Sequence, residues 1–89
     1  MTIEEALNIL DTVFQDIQLN DTQESVFRQS WAGLTYQEIA QELNFATEYI
    51  RAVGAQLWNS LSDVFGERVT KQNVRSVLER WARHNLGIA

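Results

Sequence analysis

GLTYQEIAQELNFATEYI, residues 33–50, is the stretch on which the reading of this chain turns. Thr35 with Glu38 three residues later is a capping box: the hydroxyl accepts from the Glu38 N–H while the carboxylate reaches back to the Thr35 N–H. Ile39 and Leu43 then form the inner face of a short helix, and Ala40 is small enough for a second backbone to pass close by. Asn44 follows, one of the few side chains that tolerates the left-handed region. Phe45 is expected to plug the corner, and Ile50 and Val53 to form the inner face of the next helix.

Two helices crossing steeply over a tight turn make a helix-turn-helix. Two positions depart from its usual chemistry. Asn44 stands where glycine is commonest, and Ala46 stands where a serine or threonine would cap the second helix, leaving Thr47 to cap one residue late.

Outward from this pair, the chain reads as helix throughout. It contains no proline and only four glycines, and no β-branched alternation persists. A first helix is expected over about 2–17, opened by Thr2 with Glu5, with Ile3, Ala6, Leu10, Val13 and Ile17 in one stripe that Leu7 and Phe14 widen. That stripe suits a core; the alternative is a two-heptad seam for a second copy. Asp21, with Glu24, starts a second helix over about 21–32, turning Val26, Phe27 and Trp31 inward, and Gly33 ends it. The helix-turn-helix occupies about 35–43 and 46–65, closed by Gly66. A last helix over about 70–85, capped by the Thr70 hydroxyl, buries Val74, Val77, Leu78 and Trp81. Between Gly66 and Thr70, Glu67–Val69 is long enough for one extended segment and too short for a hairpin. The expected fold is therefore all-α: a helix-turn-helix core of three helices with an added N-terminal and C-terminal helix and no full wing, in one domain spanning 1–89.

Composition narrows the function. There is no cysteine and a single histidine, His84, so neither a disulfide framework nor a zinc cluster is expected. No apolar run approaches a membrane span, and the start, MTIEEALNIL, is acidic, which points to the cytoplasm. No glycine-rich phosphate loop occurs and the carboxylates are scattered, so the expectation is a non-enzyme without metal, cofactor or small-molecule substrate. The net charge is −5. Residues 33–66 carry Glu38, Glu42, Glu48 and Asp63 against Arg51 alone, whereas 67–89 carry Arg68, Lys71, Arg75, Arg80 and Arg83 against Glu67 and Glu79.

Residues 26–61, VFRQSWAGLTYQEIAQELNFATEYIRAVGAQLWNSL, resemble the DNA-reading region of sigma factors and response regulators. More closely, almost the whole chain resembles the N-terminal helix-turn-helix domain of cyanobacterial vWA-MoxR-associated proteins. TYQEIA (35–40), VGAQLW (53–58) and VTKQNVRSVLER (69–80) carry that likeness. The resemblance implies a module at the head of a longer signalling or conflict-system protein with NTPase, peptidase, TIR, effector or repeat regions; fold likeness alone does not settle function.

A DNA-reading module places its second helix in the major groove, with base contacts near that helix's start and cations around it. The positions concerned are Thr47, Glu48, Arg51, Ala52, Ala55 and Asn59, of which only Arg51 is cationic. Lys71, Arg75, Arg80, Arg83 and His84 are the candidate phosphate contacts, although Arg75, Glu79 and Arg83 have the spacing of an intrahelical ladder. Few phosphate contacts mean little counterion release. The expected partner is accordingly a protein or a second copy, through the face around RAVGAQ (51–56) or through the first helix, with duplex DNA as the alternative. Gly54 within a helix marks a close neighbour. Trp31, Trp58 and Trp81 read as core, Trp58 with Phe65 as the best partly exposed anchor, and Tyr36 and Tyr49 as helix-start residues that core packing or a stacked base would use.

Overall fold

The computed structural model describes residues 1–14, 18–85 and 87. Five α-helices account for most of them: α1 (Ile3–Val13), α2 (Asp21–Trp31), α3 (Tyr36–Leu43), α4 (Thr47–Phe65) and α5 (Val74–Asn85). There is no strand among the described residues. The expected all-α helix-turn-helix architecture is what the chain adopts.

Local chemistry explains most of the boundaries. Thr2 and Glu5 close the expected box on α1, as Thr35 and Glu38 do on α3. Helix α2 is capped one residue earlier than expected, by Asn20 paired with Gln23; Glu24 is left to pair with Arg28. Before α5, Thr70 and Asn73 bond reciprocally, so the hydroxyl does accept from a backbone N–H; regular helix begins only at Val74, after a turn. The first helix is shorter than its stripe suggested. It stops at Val13, with Phe14 out of helical conformation at φ −97° and ψ 64°, and Ile17 lies outside the described residues.

Asn44 closes α3 in the left-handed region at φ 65° and ψ 40°. Its own N–H and that of Phe45 both reach back to the Ala40 carbonyl, the closure that lets the chain reverse into α4 within two residues. Helix α4 then starts without a side-chain cap. Ala46 occupies the cap position, and Thr47 is already the first helical residue, so it does not substitute.

Helix α4 is the axis of the fold, with α2 and α3 packed on it, while α1 packs on α5. Its Ile50, Leu57 and Leu61 are fully buried with Val26, Phe27 and Ile39. The α1 stripe faces inward as Ala6, Ile9, Leu10 and Phe14, with Ile3, Leu7 and Val13 partly covered. That packing removes the seam alternative, because Ala6 and Leu10 are already buried within the chain. The linker after Gly66 is pinned rather than loose. Val69 is buried, its N–H donates to the Ser62 hydroxyl at 2.8 Å, and that hydroxyl donates to the Trp58 carbonyl.

Candidate functional site

Six turn-and-face positions singled out by the helix-turn-helix reading lie along the outside of α4. Glu48, Arg51, Ala52, Ala55 and Asn59 are exposed and Thr47 is half-buried. The buried face is Ile50, Val53, Gly54, Leu57, Trp58 and Leu61, which leaves Glu48, Ala52, Ala55 and Asn59 as the crest opposite it. Residues two apart on a helix stand about 160° apart around its axis once the turn is closed. Tyr49 and Arg51 therefore occupy opposite flanks of that crest.

On the Arg51 flank two shallow clefts adjoin. One, of about 320 Å³, is lined by Thr35, Tyr36, Gln37, Arg51, Lys71 and Gln72. The other, of about 260 Å³, shares Tyr36, Lys71 and Gln72 and is completed by α4 and the linker, including Ala55, Asn59 and Arg68. Together they form a trough beside α4 that contains Arg51, Arg68 and Lys71 and, among the described residues, no carboxylate. Lys71 sits over the Tyr36 ring, 5.6 Å from its centroid. Glu38 is close enough for Lys71 to help hold its carboxyl below the ordinary range. The larger causes are the Thr35 backbone N–H and hydroxyl, which keep it occupied in the capping box.

On the opposite flank lies a pair of aromatic rings. Phe45 is 45% exposed and Tyr49 47% exposed, and they pack on each other at 5.0 Å between centroids. Phe45 thus does not plug the corner. Past the left-handed Asn44, whose N–H closes on Ala40, the Phe45 ring packs on Tyr49, the third residue of α4, at the surface.

The tail cations are dispersed. Arg75 donates to the Trp31 carbonyl at 3.0 Å and stacks over the Trp31 ring at 4.5 Å. Arg80 pairs with Glu67, and Glu79 lies 3.6 Å from the Met1 ammonium. The intrahelical ladder anticipated for Arg75, Glu79 and Arg83 is absent among the described residues, because the first two members are drawn to other elements. Arg83 and His84 are exposed in the last turn of α5 and line neither cleft. Of the anticipated phosphate contacts only Lys71 lies beside Arg51.

The tryptophans follow suit. Trp58 is 6% exposed and donates its indole N–H to the Tyr36 hydroxyl at 2.8 Å, so it is not the surface anchor; Phe65 packs edge-on against Trp81 instead. Gly54 has the close neighbour its position implied: a Cβ there would lie 2.8 Å from the Tyr36 ring edge and hydroxyl.

Phe45 and Arg68 also border this candidate site, and the sequence does not place them there: apolarity alone points Phe45 inward, and Arg68 reads as part of the basic tail.

A family model for the N-terminal helix-turn-helix of vWA-MoxR-associated proteins matches residues 1–81. The chain belongs to that family. Neither a curated protein nor a solved structure matches the chain. Family membership fixes the helix-turn-helix module and leaves open what its α4 face receives. No helix among the described residues is long and apolar enough to cross a membrane, and no three of their His, Cys, Asp and Glu residues gather as metal ligands.

Proposed function

We propose that this domain is a non-enzymatic interaction module of the cytoplasm, heading a larger signalling or defence protein, and that it docks a protein partner or another copy of itself across the crest of α4. The observation that carries this reading is the asymmetry of the two flanks. Arg51, Lys71 and Arg68 stand on one side, and the exposed Phe45–Tyr49 pair stands on the other. A helix inserted in the major groove has a phosphate backbone along each side, and here the second backbone would meet aromatic rings and no cation. Exposed aromatic rings beside small residues are instead the usual anchors of protein interfaces. Ala52 and Ala55 allow close approach along the crest. Helix-turn-helix families of this kind are binding folds, which supports the non-enzymatic reading.

One observation favours the second reading, a regulator that binds duplex DNA. The trough collects three cations and, among the described residues, no acid, in a chain of net charge −5. In that reading Thr47, Glu48 and Arg51 meet bases while Lys71 and Arg68 meet phosphates.

A photo-crosslinking side chain at position 49 of the natural full-length protein, activated in its own cells, tests the proposal. A discrete protein adduct that disappears on Ala52→Arg is expected. Adducts confined to DNA would overturn the reading.

A further inference from the structure

We propose that the trough beside α4 is a carboxylate socket: it takes the Asp and Glu side chains of an acidic, amphipathic partner segment whose apolar residues lie on Phe45 and Tyr49. This rests on the protein-docking reading above and names the chemistry of the partner.

Arg28 is matched by Glu24 and Glu4 and Arg80 by Glu67, Arg75 is engaged by the Trp31 carbonyl and ring, and Arg83 stands apart in the last turn of α5. Arg51, Arg68 and Lys71 have no carboxylate within ion-pair distance among the described residues, and no carboxylate lines the clefts they share. Three cations without an ion pair on one side of one helix, with Glu38 near Lys71 already held in its capping box by Thr35, are complementary to an anionic surface.

The trough is also preorganised. Lys71 is held over the Tyr36 ring, the Arg68 carbonyl accepts from the Asn73 side-chain amide at 2.9 Å, and Val69 is buried between them in sequence with its N–H on Ser62. The linker that carries two of the three cations is thereby fixed against α4, and a ligand need not order it. Gln37, Asn59 and Gln72 add neutral hydrogen-bonding groups along the lining.

The far flank determines what accompanies the carboxylates. Phe45 and Tyr49 offer apolar area with no cation, and Ala52 and Ala55 leave the crest low enough for a partner helix to lie on it. A segment bearing carboxylates on one side and apolar groups on the other satisfies both flanks at once; a uniformly charged polyanion satisfies one.

The test uses the isotope-labelled 89-residue chain and a synthetic helix of about five turns with leucines at three-four spacing and glutamates elsewhere. Controls are the same peptide with Glu→Gln, the same with Glu→Lys, and a duplex of random sequence. Saturable amide shifts with the glutamate peptide are expected at Arg51, Arg68 and Lys71 together with Phe45 and Tyr49. Lys71→Glu should weaken binding about tenfold and Arg51→Glu similarly, with affinity restored by the lysine peptide. Circular dichroism of these surface variants checks that they fold. Equal binding of the glutamine or lysine peptide to the unaltered chain would overturn the socket and leave protein docking standing. No shift in the trough with the glutamate peptide would also overturn it. Duplex binding at the trough tighter than the glutamate peptide's would overturn both readings.

Discussion

The Trp58 indole N–H donates to the Tyr36 hydroxyl at 2.8 Å, joining the start of α3 to the middle of α4. The same tyrosine closes on Gly54, one helical turn earlier, so that a single ring fixes how closely the two helices of the motif approach. Gly54→Ala gains about 1 kcal/mol of helix propensity. It also forces a methyl to within 2.8 Å of the ring edge and hydroxyl, an overpacking that costs about 1–3 kcal/mol. The net outcome expected in urea denaturation is a loss of stability. Tyr36→Phe relieves the hydroxyl and strands the indole donor, and should cost about 1–3 kcal/mol on its own.

Helix α4 begins at Thr47, and Ala46 at its cap position offers no side chain to close the first turn. Ala46→Asp or Ala46→Ser supplies the missing acceptor at an exposed position already in extended conformation. Either substitution should raise stability by about 0.5–2 kcal/mol, read as a higher denaturation midpoint with an unchanged slope.

Glu5 and Glu38 both have carboxyls held below the ordinary value of 4.5, chiefly by the backbone N–H groups of Thr2 and Thr35. A depressed folded-state value means that each contributes stability above its unfolded value and loses it as the pH falls through the lower, folded one. The melting temperature should therefore hold steady down to roughly pH 5 and fall below it. In Glu38→Gln the amide oxygen still accepts from the Thr35 N–H, so stability at neutral pH should be largely kept and the acid decline should be shallower.

Arg75 ties α5 to the end of α2 by its bond to the Trp31 carbonyl and its stack on the Trp31 ring. Arg75→Ala should cost about 1 kcal/mol and change the Trp31 emission spectrum. Arg75→Lys keeps the charge and should recover only part, since an ammonium lacks the planar fork.

Much of this fold was legible in the residues. Thr35 with Glu38, Asn44 and Gly66 each announce a boundary through local hydrogen bonding or backbone freedom, and each acts where its chemistry implied. The readings that failed needed tertiary information. The α1 stripe continues in apolar pattern past the point where Phe14 leaves helical conformation. Phe45 is apolar and sits at a corner, but the direction of its ring depends on how Asn44 turns the chain. Arg75 and Glu79 have perfect ladder spacing; their partners, Trp31 and Met1, are far away in sequence. The trough was invisible for the same reason, since Arg51 and Lys71 meet only when the linker folds back along α4.

In the proposed function the α4 crest receives a protein surface rather than a duplex. Anisotropy of a labelled random-sequence duplex of about 30 base pairs, titrated with the 89-residue chain from about 50 to 200 mM salt, tests it most directly. The prediction is weak binding without saturation even at the lowest salt, little altered by Arg51→Glu. Saturable binding with a steep salt dependence, abolished by Arg51→Glu, would contradict it.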